Sequence, residues 1–367
     1  MKFTFDRDAL LKEIAIAQEI IATKNAISIL SNVLLEAQNG TLTIRATDIK
    51  VNFETKIPVD IQEAGSTTVF CDKFMSIISS LPQGEVEFEQ NDIKITIRPS
   101  MKKAKFQLKS ITSDKFPEFT APTSITFFDV PVKEFKEMVN QTVFSVSDDE
   151  TRYFMNGVFM EKKVEKLQLI ATDARSLAYI AMVFGIAIPE FKGIIIPPKI
   201  LTIINRRASD EGPLSIGVGE KNIYFRFANY EFSSVLIEGQ FPNYARVIPA
   251  SQDYSFEVDT KELLEALKRV ALLVEQKSRR IYMTVAPGTL TIASQETEIG
   301  TAKEEIPCKY DGAELTIALN YLYLEEPVKV IGSDRVRVDF TESMKAITVK
   351  AEPSKDFFHI VMPMQME

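Results

Sequence analysis

The sequence predicts an α+β protein made of three copies of one unit, each with two helices packed on antiparallel sheets. Three observations predict it. Four landmarks recur in the same order three times along the chain, which decides the architecture before any single motif does. Within each copy, helical periodicity alternates with strands of period two. The length of 367 residues also exceeds the size at which one hydrophobic core keeps growing. Boundaries are expected near Pro122 and Pro249, giving domains 1–120, 121–250 and 251–367.

The first landmark is a short alternating strand, an aspartate and an amphipathic helix. Lys2-Phe3-Thr4-Phe5 leads to Asp6 and to Leu10, Ile14, Ala17 and Ile21 on one helical face. Ile125 to Phe128 leads to Asp129 with Phe135, Val139 and Val143; Ser255 to Val258 leads to Asp259 with Leu263, Leu267, Val270 and Val274. Each aspartate is expected to accept hydrogen bonds from the free amides of the helix that follows. The second landmark is a strand, Gly40 to Ile44, Lys166 to Ile170 and Gly288 to Ile292, followed by Ala-Thr-Asp at 46–48 and 171–173 but by Ala293-Ser294-Gln295 in the last copy.

The third landmark is a second strand and helix. Thr67 to Phe70 precedes a helix over Lys73 to Leu81, Ile194 to Ile196 one over Lys199 to Asn205, and Leu315 to Ile317 one over Asn320 to Leu324. Pro327 lacks an amide donor, so the last helix is expected to be short or broken. The fourth landmark is a pair of alternating strands: 86–89 with 93–97, 214–218 with 223–227, and 336–340 with 346–349. Copies one and two end in Phe116-Pro117-Glu118-Phe119 and Phe241-Pro242-Asn243-Tyr244.

Composition narrows the function. Apolar residues at 45% and charged residues at 26% describe an ordinary globular chain, with no apolar run long enough to span a bilayer. Charge precedes any apolar stretch at the N-terminus, and the two cysteines, Cys71 and Cys308, form no CxxC, so a reduced cytoplasm fits. A net charge of −8 argues against nucleic acid coating the whole surface, though not against a local basic face. Lys102-Lys103-Ala104-Lys105, Arg206-Arg207 and Lys277-Ser278-Arg279-Arg280 are either such a face or solvated loops. The single histidine, His359, lies in an apolar strand-like run, and no phosphate-binding or nucleophile-elbow motif occurs. No cofactor or metal is expected. The enzymatic alternative is a magnesium-dependent nuclease using Asp148, Asp149 and Asp173; the non-catalytic alternative is a scaffold unrelated to DNA.

The threefold repeat, together with Met1-Lys2-Phe3-Thr4, Ala46-Thr47-Asp48, Arg152-Tyr153-Phe154-Met155-Asn156-Gly157, Ala171-Thr172-Asp173, Phe241 to Val247 and Val361-Met362-Pro363-Met364, resembles the bacterial DNA sliding clamps, the β subunits of DNA polymerase III. The similarity covers essentially the whole chain. It implies three DNA-clamp domains forming half of a six-domain ring, a head-to-tail homodimer whose helices face duplex DNA. Such a protein is a processivity factor and not an enzyme. Its partners are double-stranded DNA, a second copy, the replicative polymerase, the clamp loader, repair polymerases and other proteins with clamp-binding peptides.

The resemblance also assigns residues. DNA-facing candidates are Lys24, Arg152, Tyr153, Phe154, Lys199, Arg206, Arg207, Lys268 and Arg269, with Asp149 standing where relatives can carry an amide. A hydrophobic peptide cleft is expected from Met155, Thr172, Leu177, Pro242, Arg246, Val247, Asn320, Tyr323, Met344, Ile360, Met362, Pro363 and Met364. In relatives it takes a glutamine followed by aliphatic and aromatic residues. Here Ala174-Arg175-Ser176 replaces the commoner glycine, histidine and arginine, so peptide preference is expected to differ. Leu272 and Leu273 match an interface pair, with Ile77 and Phe106 as partners across the joint.

Overall fold

The computed structural model describes residues 1–21, 28–119 and 124–366. Among them are six α-helices: α1 (Arg7–Ile20), α2 (Cys71–Ser80), α3 (Val132–Asn140), α4 (Pro198–Arg207), α5 (Thr260–Ala271) and α6 (Tyr321–Val330). The chain groups into two compact units, Met1–Lys133 with Ile203–Leu236, and Glu134–Thr202 with Ile237–Glu367. The division runs through the middle repeat because its strands are shared out between two sheets.

In unit 1, Phe127–Pro131, Pro213–Val218, Asn222–Phe227 and Tyr230–Val235 continue directly into the strands of the first repeat. The joint is an antiparallel ladder between Tyr230–Val235 and Val51–Pro58, with Phe232 opposite Phe53. Unit 2 repeats the device. Its sheet runs from Ile194–Ile196 through Val158–Lys163, Lys166–Thr172 and Ser176–Val183 into the third repeat, where Ser176–Val183 pairs with Phe357–Val361. The two joints use equivalent strands of successive repeats.

Helix placement follows from burial of one stripe against these sheets. Leu10, Ile14, Ala17 and Ile20 of α1 have no exposure, as have Leu263, Ala266 and Leu267 of α5; each large side chain so buried contributes about 2 kcal/mol. Asp6 caps α1, accepting from the amides of Asp8 (3.0 Å) and Ala9 (2.9 Å), and Asp259 caps α5 through the amide of Glu262 (2.9 Å). The middle copy departs from the expected pattern. Asp129 lies inside the strand Phe127–Pro131, where it accepts from the Ser215 hydroxyl, and Pro131 immediately precedes α3. All three repeats still satisfy the first helical amide identically: Arg7 N donates to Gly84 O (3.0 Å), Val132 N to Gly212 O (3.1 Å) and Thr260 N to Asp334 O (2.9 Å).

Two helices end differently from expectation. The Thr142 hydroxyl donates back to the Met138 carbonyl at 2.8 Å, so Val143 falls in a short 3₁₀ turn instead of on the α3 face. α6 runs through Pro327 to Val330. An interior proline costs about 3 kcal/mol, and burial of Leu324, Pro327 and Val328 offsets it. Strands not singled out from the sequence include both joint partners, Val51–Pro58 and Tyr230–Val235, and their relatives Ser176–Val183 and Lys303–Lys309.

Candidate functional site

Unit 2 gathers apolar side chains at its joint. Cross-strand pairing sets Thr172, Leu177 and Ile360 in one row and Ile170, Tyr179 and Phe358 in the next, all on one face because each row steps by two residues. Ile170, Leu177, Ile195, Phe241 and Ile360 are buried together, and Phe154, Phe159, Tyr179, Tyr244 and Phe358 pack half-buried against them. Phe159 stacks on Phe241, and Tyr179 on Phe358, each with ring centroids 4.8 Å apart. The Tyr244 hydroxyl donates to Glu161 and lies 3.1 Å from Gln168 Oε1. Burial, with Glu161 beside it, pushes this phenol above the usual tyrosine range, so it stays a neutral donor.

The chain end is fastened beside this cluster. Met362 N donates to Arg175 O at 2.9 Å and Met364 N to Ala318 O at 2.8 Å, leaving Met362 exposed and Pro363 and Met364 half-buried. The turn that receives it is built by side chains. Asp173 Oδ1 accepts from the amides of Arg175 (2.9 Å) and Ser176 (2.7 Å), and the Thr172 hydroxyl donates to Ser176 O at 2.6 Å, which holds Ala174 at a left-handed φ of 72°. Tyr323 of α6 lies near Asp173 and Arg175; burial and that carboxylate push its hydroxyl up to about 12. The Asn320 side-chain oxygen caps α6 at Leu322 N, 3.0 Å away.

Of the expected cleft residues, Leu177 and Ile360 enter the cluster, Thr172 and Asn320 are engaged in turn and cap bonds, and Tyr323 lies near Asp173. Met155 is buried, Pro242 half-buried, and Arg246 and Val247 are exposed at the 3₁₀ turn Tyr244–Arg246. Met344 is exposed on the hairpin between Arg335–Phe340 and Ile347–Glu352. Sequence reasoning missed Ile170, Tyr179, Phe241 and Phe358. Their signal is register: each sits two positions from a named residue or beside Pro242.

The DNA-facing candidates divide by unit. Lys24 lies outside the described residues. In unit 2, Arg152, Tyr153 and Phe154 ride a 3₁₀ turn, Glu150–Met155, whose cap is Asp149 through the amide (2.9 Å) and hydroxyl (2.6 Å) of Thr151. These bonds, chiefly the hydroxyl's, hold the Asp149 carboxyl below the usual range, and Arg152 Nε lies 3.6 Å from it. Gly239, with φ of 115°, passes beneath the Tyr153–Phe154 pair, where a Cβ would lie 3.2 Å from Phe154 Cβ. Lys199 is half-buried and Lys268 exposed. Arg269 makes a two-pronged bond to Glu304, at 2.6 and 2.9 Å. In unit 1, Arg206 and Arg207 both pair with Glu19.

The interface candidates lie beside incomplete strand pairing. In unit 1, Phe106 is half-buried at the start of Phe106–Ile111, whose residues 106–109 pair among the described residues only with 94–97, and Ile77 is half-buried on α2. In unit 2, Leu272 is 80% exposed, enough to leave nearly a whole aliphatic side chain in water, and Leu273 is half-buried. Residues 303–307 there pair, among the described residues, only with 289–293.

His359 is wholly buried, its Nε2 3.0 Å from Gln141 Oε1, and burial lowers its pKa to about 3, so it is neutral. Among the described residues no group of three or more His, Cys, Asp or Glu gathers as a metal site, and no helix is long and apolar enough to cross a membrane.

Comparison with known proteins agrees along the whole chain. Residues 1–120, 129–243 and 245–365 match the N-terminal, central and C-terminal domain models of the DNA polymerase III beta subunit. The chain is 50% identical to the beta sliding clamp of Treponema pallidum and 29% identical to that of Escherichia coli K12, with all of each chain covered. Crystal structures of the DNA polymerase III subunit beta from Pseudomonas aeruginosa (28% identity) and of the sliding clamp from Bacillus subtilis (27%) each superpose over both full lengths with a TM-score of 0.94. With all three domain models matched in order, the chain belongs to the DNA polymerase III beta subunit family, the sliding clamps that serve as processivity factors in DNA replication.

Proposed function

We propose that two copies of this chain, each with domains 1–120, 121–250 and 251–367, close head to tail into a six-domain ring that encircles duplex DNA, slides on it and docks its partners without catalysing a reaction. The observation that carries this reading is the repeated joint. The same pair of strands joins repeat one to two and repeat two to three, and the remaining members of that pair, 106–109 and 303–307, each keep one edge open among the described residues. Open edges invite pairing with another chain. A heterologous contact closes at two subunits when each chain spans half a circle.

Phe106 and Ile77 on one protomer would meet Leu272 and Leu273 of its partner, which gives the exposed Leu272 an apolar destination. Arg152, Tyr153, Phe154, Lys199, Arg206, Arg207 and Lys268, with Lys24, would face phosphate. Their pairing with Asp149 and Glu19 favours a weak, salt-sensitive contact that permits sliding. The apolar joint of unit 2, with Met155, Pro242, Arg246, Val247, Met344 and the Met362–Met364 end, would take the linear peptides of the replicative polymerase, clamp loader and repair polymerases. Flexible methionines suit a groove with several occupants.

The test is assembly. Leu272→Ala with Leu273→Ala removes two apolar anchors, a loss on the order of 4–10 kcal/mol if both are buried. Sedimentation of the folded double variant should give a monomer; a dimer persisting at low micromolar concentration contradicts the assignment.

A further inference from the structure

The joint of unit 1 repeats the frame of the apolar cleft with a different lining. Matching the two joints strand for strand sets Arg45, Glu54 and Glu231 where unit 2 has Ile170, Tyr179 and Phe358. Asn52 and Ser233 stand in place of Leu177 and Ile360, and Phe116 to Phe119 in place of Phe241 to Tyr244. An apolar row has become a row of charges, Arg45–Glu54–Glu231–Arg226, running across four neighbouring strands.

Its order matters. Arg45 Nε donates to Glu54 at 2.6 Å, and Arg226 Nε lies 3.2 Å from Glu231, so each arginine serves the carboxylate on its own side. The two central carboxylates then sit on directly opposed residues, an arrangement that is destabilising unless a cation offsets it; Lys56, 3.2 Å from Glu54, relieves one side. Beside them Asn52 Nδ2 donates to the Ser233 hydroxyl at 3.1 Å, and the Thr47 hydroxyl donates to Asn52 Oδ1 at 2.6 Å, forming a polar floor.

A cavity of about 740 Å³ opens over this row, within the size range of ligand sites. Glu36, Asp114 and Glu118 also line it, giving five carboxylates against three cations, so the space selects for positive charge. Phe119, with the Arg45 guanidinium 5.9 Å from its ring centre, supplies an apolar wall. A glutamine-and-aliphatic peptide of the kind expected in the unit 2 cleft would set uncharged side chains against this row and leave the two opposed carboxylates facing each other. A basic side chain reaching between Glu54 and Glu231 would pair them.

We propose that this groove docks a linear peptide carrying lysine or arginine next to an aliphatic or aromatic residue. The inference rests on reading the unit 2 cleft as a peptide site, because the two share one frame.

The chain contains no tryptophan, so Phe119→Trp places a sole tryptophan, excited selectively over the tyrosines, at the groove. The full-length F119W protein is titrated with a short peptide carrying arginine beside leucine, and with its counterpart carrying glutamate. The basic peptide should give a saturable emission change and the acidic one none. Adding Glu231→Gln, at an exposed position, should weaken the basic peptide roughly tenfold, and Glu118→Gln at the rim should weaken it less. No saturable change up to about 1 mM, an equal response to the acidic peptide, or unchanged affinity in E231Q overturns the proposal. A labelled glutamine-and-aliphatic peptide, followed by anisotropy in the same samples, reports the unit 2 cleft separately. Its failure to bind while the basic peptide binds counts against that cleft and not against this groove.

Discussion

Gln141 Nε2 donates to the Val330 carbonyl at 2.6 Å, which leaves Gln141 Oε1 to accept from His359 Nε2. His359 is thereby the Nε2-protonated tautomer, and its Nδ1 has no hydrogen-bond partner. Burial lowers its pKa from an ordinary 6.5 to about 3, so as pH falls the unfolded chain takes up this proton first. The stability it confers is complete above about pH 6.5 and is lost as pH drops toward 3. Denaturant unfolding should therefore show that His359→Gln loses less stability than the parent between pH 7 and pH 5, by about 2 kcal/mol; parallel pH profiles would contradict this. The structural role of His359 was legible from its apolar neighbours. The pairing of Arg206 and Arg207 with Glu19 was not, because partners 187 and 188 residues apart leave no local pattern.

At the scale of elements, the capping difference between repeats gives a direct comparison. Asp6→Ala should cost about 1 kcal/mol, the usual worth of an N-cap. Asp129→Ala should stay within about 0.5 kcal/mol, since Asp129 lies in a strand and Pro131 precedes α3; equal losses in thermal unfolding would contradict the assignment. The sequence suggested three equivalent aspartates because each follows an alternating strand, and only register with the neighbouring strand separates them. Helix α6 was misjudged for a related reason, since local propensity at Pro327 is outweighed by tertiary burial. The chain end is a further element with a separable role. It is held by bonds to Arg175 and Ala318 beside the apolar cluster, so removing Met362 to Glu367 should abolish binding of a glutamine-and-aliphatic peptide while leaving the dimer intact. Unchanged affinity in a fluorescence titration would move the cleft elsewhere.

For the whole molecule, the threefold repeat and the fold class were legible because both rest on periodicity and recurrence. The joints were not, because Val51–Pro58 and Tyr230–Val235 carry charged and polar residues at alternate positions, and nothing local marks them as partners of each other. Those joints support the proposed ring, since the pairing used twice within the chain has, among the described residues, one further pair of open edges. Binding would then be held by topology more than by contact, with the paired arginines leaving only modest attraction for phosphate. Retention on DNA of defined topology tests this most directly. After loading onto nicked circular plasmid, the protein should stay bound through gel filtration at salt that abolishes ordinary ionic binding, and should be lost once the plasmid is cut to a linear form. Equal retention on circular and linear DNA, with the dimer intact, would contradict encirclement.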